Sequence, residues 1–245
     1  MSKGSVLILG GRSDIGIAIA HSFAKIGYDI QLAARNAKSL EADKYDIQLR
    51  NNVKVSLSEF DALNISTHED FIKQLPTLPE IAICTVGYID EQEKNEKDLH
   101  AAKIVMRSNY EGPASILSVL ANHFEVRGSG CLVGISSVAG ERGRATNYIY
   151  GSAKAGFTAF LSGLRNRLEK KRIHVITVLP GYVDTKMTKN MKLPKSLTST
   201  PNEVSEKILS AVQKNKNIIY VKPIWRLIML LIRNIPESIF KKLNL

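Results

Sequence analysis

Tyr150 and Lys154 stand four residues apart in Tyr150-Gly151-Ser152-Ala153-Lys154, and Ser137 lies thirteen residues upstream of the tyrosine. In a helix, a rise of about 1.5 Å per residue and roughly 3.6 residues per turn put the phenol and the ammonium on one face, one turn apart. A free tyrosine titrates near ~10, and lowering it to about 7 requires roughly 4 kcal/mol of differential stabilisation of the phenolate, part of which a nearby cation supplies. The expected product of this spacing is a proton donor usable at neutral pH.

Side chains this far apart in sequence need a scaffold to bring them together. Apolar runs of strand length occur at Val6–Leu9, Ile30–Ala34, Val53–Leu57, Ile81–Cys84, Cys131–Ile135, Val175–Leu179 and Ile218–Val221. Between them, apolar residues recur at spacings of three and four near 15–26, 37–50, 66–74, 95–124, 147–170 and 202–214. Such alternation predicts an α/β domain with a doubly wound, mostly parallel sheet and helices on both faces. Ligands in these sheets bind beyond the carboxyl ends of the strands, so the loops after the strands are where chemistry is expected.

The first such loop, Leu9-Gly10-Gly11-Arg12-Ser13-Asp14-Ile15-Gly16, runs from a strand into an amphipathic helix. Its glycines allow a tight turn and close backbone approach, while the helix start offers free N–H groups to a phosphate. A carboxylate at position 14 would repel a pyrophosphate, so Asp14 is expected to turn away and cap the helix, leaving Gly10 and Gly16 beside the ligand. Arg35 follows the second strand, where an acidic residue would hold the ribose of NAD. An arginine there suits a 2′-phosphate, with Arg12 as a second cation, which favours NADPH over NADH. Asn109 sits beside Gly112-Pro113 inside an otherwise helical stretch, and a break there would let the asparagine and freed backbone groups hold water near the lysine. Pro180-Gly181-Tyr182-Val183-Asp184-Thr185 opens an irregular segment reaching about Thr200, a candidate lid on the substrate side.

At 245 residues the chain is long enough for one large core, and no dense Pro/Gly/Ser linker or repeat divides it. Cys84 and Cys131 sit in apolar runs without metal-ligand spacing and read as two reduced core thiols, and no leader of signal-peptide length opens the chain, so a cytoplasmic location is expected. The five histidines are scattered, so no metal site is expected. A net charge of +11 points to anionic partners. Aromatic residues are not interleaved with a continuous basic patch, which argues against nucleic acid.

Taken together these residues resemble the short-chain dehydrogenase/reductase superfamily over essentially the whole chain, in the order Gly10 to Gly16, Asp61-Ala62, Asn109, Ser137, Tyr150 with Lys154, and Pro180 to Thr185. The resemblance implies a single-domain Rossmann-like fold and an NAD(P)-dependent oxidoreductase with Asn109, Ser137, Tyr150 and Lys154 as catalytic residues. Spacing from Tyr150 selects Ser137 rather than Ser136, and Tyr148 is set aside because Ser152, not a lysine, follows it by four. Cofactor contacts are implied for Gly10, Arg12, Ser13, Asp14, Ile15, Gly16, Arg35, Asp61, Ala62, Gly87, Tyr150, Lys154, Pro180, Val183 and Thr185. Two departures stand out: Asp14 replaces the family's middle glycine, and Cys84-Thr85-Val86-Gly87 replaces its Asn-Asn-Ala-Gly element, removing a side-chain hydrogen bond.

A narrower resemblance is to the decaprenylphosphoryl-2-keto-ribose reductase group, carried by the glycine loop, by Ala139 to Ser152 and by Arg233-Asn234-Ile235-Pro236-Glu237-Ser238-Ile239-Phe240-Lys241-Lys242-Leu243. It implies reduction of a keto sugar on a polyprenyl phosphate in cell-envelope glycan synthesis. The alternatives are a reductase of a soluble ketone, sugar or acyl thioester, and a non-catalytic nucleotide-sensing protein. The reductase domain is expected over 1–222, with a basic apolar tail over 223–245. Ile224 to Ile232 would cover only about 14 Å as a helix against roughly 30 Å of hydrocarbon, too short to span a bilayer. With Arg226 and Arg233 on one side and Lys222, Lys241 and Lys242 nearby, the tail reads either as an amphipathic helix lying on the inner face of an anionic membrane or as a helix packed on the core. A homo-oligomer paired through the helix at 147–170 is also expected.

Overall fold

The computed structural model describes residues 2–189 and 191–243. Its strands are β1 (Ser5–Leu9), β2 (Asp29–Ala34), β3 (Val55–Glu59), β4 (Ile81–Cys84), β5 (Gly130–Ile135), β6 (Ile173–Leu179), β7 (Tyr182–Val183), β8 (Thr198–Ser199) and β9 (Ile218–Tyr220). Its helices are α1 (Asp14–Lys25), α2 (Glu41–Asn51), α3 (His68–Lys73), α4 (Gln92–Lys97), α5 (Leu99–Met106), α6 (Gly112–Arg127), α7 (Tyr148–Leu168), α8 (Pro201–Gln213), α9 (Ile224–Arg233) and α10 (Glu237–Phe240).

Seven strands form one parallel sheet in the order β3-β2-β1-β4-β5-β6-β9, and β7 pairs with β8 separately. Successive side chains of a strand point to opposite faces, so each central strand feeds two cores. Val6 and Ile8 join Phe23 of α1, Ile47 of α2 and Ile208 of α8 on one face. Leu7 and Leu9 join Phe71 of α3, Leu120 of α6 and Phe157 of α7 on the other. Continuous apolar runs are what a sheet covered on both faces requires. Cys84 and Cys131 fall in opposite cores and are both free, and burial pushes their thiols up to about 11 and about 12.

The chain winds from β1 outward through β2 and β3, then returns to β4 on the other side of β1 and continues outward again. Leu9 and Cys84 are register partners at the carboxyl ends of β1 and β4, and the crevice beyond them is the switch point of the sheet.

Two expectations are corrected. β3 begins at Val55 rather than Val53. The stretch 95–124 is not one helix: the Asp98 carboxylate caps a new start by accepting from His100 N and Ala101 N, and residues 107–111 form a π turn. The break foreseen at Asn109 is that π turn, and helix resumes with Pro113 in its first turn, where a missing N–H leaves no intrahelical bond unmade. On α9, Trp225 faces inward. It is buried with Met229 against Val138 and Leu179, and its indole N–H donates to Leu197 O at 3.1 Å. Ile224, Leu227, Leu230 and Leu231 remain exposed. No helix among the described residues is long and apolar enough to cross a membrane.

Candidate active site

The glycine loop is built by Gly10, whose φ of +87° only glycine adopts readily, and whose Cβ would sit 2.7 Å from Thr85 Oγ1. Thr85 Oγ1 lies 3.0 Å from Leu9 O, Gly10 O and Ser13 Oγ, so its hydroxyl ties the ends of β1 and β4 together. Side-chain bonding between these strands, expected to be lost with the family's asparagine, is supplied one residue later by threonine. Ser13, not Asp14, caps α1, accepting from Gly16 N at 3.0 Å. Asp14 does turn away from the loop, but its carboxylate reaches across the chain. It accepts from Lys186 N at 2.7 Å and pairs with Lys186 Nζ at 3.6 Å, fastening the segment after β7 to the start of α1.

Two cavities meet at Thr85, Val86 and Gly87. The one above β1 and β2, about 540 Å³, brings together Gly10, Arg12, Ser13, Arg35, Asp61, Ala62 and Gly87 from the sequence-derived set, with Lys186 in addition. Arg12 Nη1 donates to Arg35 O at 3.1 Å, placing both guanidinium-bearing residues at its rim. The second, about 150 Å³, is lined by Ile15, Asn109, Ser137, Tyr150, Lys154, Pro180, Val183 and Thr185. Asp14 and Gly16 line neither cavity: Asp14 is held by Lys186, and Gly16 packs where a Cβ would lie 2.8 Å from Gly10 O.

Residues 148–168 are helical, so Tyr150 and Lys154 do share a face of α7. Lys154 is buried; its ammonium donates to Ile135 O at 2.9 Å and stands 5.8 Å from the Tyr150 ring centroid. Burial lowers the lysine from its ordinary 10.5 to about 8. Burial also raises Tyr150 to about 12, against a smaller opposing effect of a hydrogen bond with Ser137. The phenol is therefore not lowered toward 7 as the spacing suggested, because loss of solvent outweighs what its neighbours give back. The phenol is neutral at physiological pH.

Ser136 and Ser137 separate cleanly. Ser136 Oγ is spent on α7, donating to Lys154 O at 2.9 Å with Thr158 Oγ1 at 2.6 Å, whereas Ser137 Oγ caps a short turn by accepting from Ala139 N at 3.1 Å beside Tyr150. The Asn109 amide donates to Val105 O at 2.8 Å and to Tyr88 O, and its oxygen accepts from Tyr88 N at 3.3 Å. A Cβ on Gly87 would stand 3.0 Å from Asn109 Oδ1 and 3.5 Å from Lys154 Nζ, so both groups border one gap that a larger residue would fill. Tyr148 lies at the exposed start of α7, outside the cavity. Thr85, Arg144, Asn147, Lys186 and Met187 were missed as lining residues. The only sequence signal for them was position in loops that follow strands.

The short chain dehydrogenase family model matches residues 4–195. An uncharacterized oxidoreductase of Mycobacterium tuberculosis (strain ATCC 25618 / H37Rv) is 32% identical over 241 residues, covering 97% of this chain and 96% of that protein. The chain belongs to the short-chain dehydrogenase family. This short-chain dehydrogenase is also 30% identical over 242 residues to an uncharacterized oxidoreductase of Streptomyces coelicolor, covering 98% of this chain and 95% of the other. Its fold matches a short-chain dehydrogenase from Sphingobium yanoikuyae solved in complex with NADPH, with a TM-score of 0.81 at 22% identity over 96% of this chain and 97% of the other. It also matches a bulky-bulky ketone specific alcohol dehydrogenase from Comamonas testosteroni, with a TM-score of 0.80 at 20% identity over 97% of each chain. As a member of this family it is an NAD(P)-dependent oxidoreductase. The close approach at Gly10, the free N–H groups at the start of α1 and the arginines at the rim fit a dinucleotide laid across the β1/β4 crevice.

Proposed function

We propose that the protein is an NADPH-dependent carbonyl reductase, carried by one observation: Ser137, Tyr150 and Lys154 line one small cavity that joins the dinucleotide crevice at Gly87. Bound NADPH supplies the hydride. Tyr150, a neutral phenol, gives its proton to the carbonyl oxygen as negative charge builds there. Ser137 donates a hydrogen bond to the same oxygen, and the Lys154 ammonium, charged at pH 7, stabilises the phenolate left behind. Asn109 and Lys154 border the gap at Gly87 through which a water-borne proton would return to the tyrosine. Arg12 and Arg35 hold the 2′-phosphate, which selects NADPH.

The substrate we propose is a keto sugar carried on a polyprenyl phosphate. The exposed apolar side chains Ile224, Leu227, Leu230 and Leu231 on α9, with Lys222, Lys241 and Lys242 around them, suit an anionic membrane face. Trp225, on the opposite face of the same helix, lines the cavity of Tyr150, so a lipid-borne carbonyl would arrive beside the site. Oxidation of NADPH with a polyprenyl-phosphate keto pentose, compared with short soluble ketones, tests this reading. Preference for the lipid-linked sugar is expected; equal or better use of soluble ketones contradicts it. A homo-oligomer would use the outward face of α7, where a Cβ on Gly163 would meet nothing within 4 Å. Light scattering showing only a 27.1 kDa species would contradict that assembly.

A further inference from the structure

Two polar atoms in the wall of the Tyr150 cavity have no hydrogen-bond partner although they are buried: Arg144 Nε and Asn147 Oδ1. A buried donor or acceptor left unpaired costs about 1–3 kcal/mol, so each such group calls for a reason. The surrounding ion pairs do not supply one. Glu141 Oε1 is taken by Arg233 Nη1 at 3.1 Å and by the Tyr220 hydroxyl at 2.8 Å, while Glu141 Oε2 is also buried without a partner but lies on a residue outside the cavity wall. Arg142 is taken by the tail, through Glu237 at 2.5 Å, the carbonyls of Arg233 and Ile235 at 3.3 and 3.4 Å, and the Phe240 ring at 4.2 Å. The tail thus pins the loop on which Arg144 stands, and among the described residues no carboxylate pairs with Arg144 itself.

Apolar side chains form much of the remaining wall, Ile89, Val138, Met187, Met191 and Trp225, with Thr185 and Thr188 beside them. The two orphaned atoms have opposite hydrogen-bonding character. An arginine N–H only donates, and an amide carbonyl oxygen only accepts. A carboxylate or phosphate would satisfy the first and be repelled by the second. A hydroxyl satisfies both at once, accepting from Arg144 and donating to Asn147.

We infer that Arg144 and Asn147 are specificity-determining residues that read a hydroxyl next to the reacting carbonyl, so that the substrate class is an α-hydroxy ketone with an apolar remainder. The inference rests on the carbonyl reductase reading of the same cavity. A site built to bond a substrate hydroxyl rejects the analogue lacking it far more strongly than an apolar pocket rejects an added methylene.

The test uses the full chain with NADPH and two ketones of similar shape, 2-hydroxyacetophenone and propiophenone, in the native protein and in Arg144→Met and Asn147→Leu. The expected result is that each variant lowers the ratio of kcat/KM for the hydroxy ketone to that for propiophenone by about tenfold or more. Because intrinsic reactivity of the two ketones cancels when native and variant proteins are compared, an unchanged ratio overturns the inference. Calorimetry on the NADPH-loaded protein with 1-phenyl-1,2-ethanediol and 1-phenyl-1-propanol reads the same subsite without turnover, because the reduced cofactor cannot accept a hydride from an alcohol. The diol should bind at least about tenfold more weakly to Arg144→Met, and the mono-alcohol equally. Equal diol binding in native and variant protein, or none in either, overturns the subsite. Diol discrimination supports the subsite whether or not either ketone is turned over, and the reductase reading fails separately, if NADPH stays unoxidised with the polyprenyl-phosphate keto pentose and with soluble ketones alike.

Discussion

Lys154 holds the most consequential charge in the molecule. Burial lowers it from 10.5 to about 8, so between these values the unfolded chain keeps a proton that the folded chain has shed. Folding stability from this group therefore rises with pH across about 8 to 10.5, and it is lowest where the ammonium is charged. Activity should run the other way, because the proposed reaction uses the ammonium. The kcat/KM for NADPH should fall as pH rises through about 8, and a profile flat to pH 10 would contradict the role given to Lys154. Lys154→Met should unfold at a higher temperature at pH 7 than the native protein while losing turnover. Calorimetry and an NADPH assay on the same sample read both. Arg35→Ala should raise KM for NADPH by about tenfold or more and leave KM for NADH nearly unchanged, which corresponds to losing a charge-assisted bond to phosphate. At this scale the sequence was informative where spacing alone sets the geometry, as with Tyr150 and Lys154 on one helix face. It was uninformative where a side chain acts across the fold. Asp14 bonds residue 186, and Arg144 is defined by the neighbours it lacks; neither relation leaves a periodic trace.

Among the elements, the seven strands of the main sheet are legible to within two residues because a sheet buried on both faces demands unbroken apolar runs, whereas the short β7 and β8 lie in a segment read as irregular. The stretch 95–124 was harder, since local caps such as Asp98 and a single π turn restart a helix without disturbing its apolar spacing. Helix α9 shows how much of an element's orientation depends on its partner. Its apolar residues cover more than one face, and packing of Trp225 and Met229 on Val138 and Leu179 seats one of them inward, with Gly181 so close that a Cβ there would lie 2.0 Å from the Trp225 indole. Gly181→Ala should therefore displace α9 and destabilise the fold, and Trp225→Ala should cost about 3–5 kcal/mol in denaturant unfolding. Leu227→Glu and Leu231→Glu alter side chains that are 54% and 63% exposed, and they should leave the unfolding midpoint unchanged. If the same two variants bind anionic liposomes as well as the native protein does at low salt, α9 does not face a membrane.

The whole molecule combines a covered parallel sheet, one crevice at its switch point and a tail folded back over the loop after β5. The positive balance of +11 is a property of the entire surface and does not by itself name a partner. What joins the scales is that the crevice proposed for the dinucleotide lies on one side of Gly87 and Tyr150 on the other. The decisive measurement is therefore Tyr150→Phe, followed by NADPH binding and by NADPH oxidation with a carbonyl substrate that the native protein turns over. The account predicts a dissociation constant for NADPH within about threefold of native and kcat/KM reduced by about 10²–10⁴-fold. Near-native turnover by this variant would contradict it.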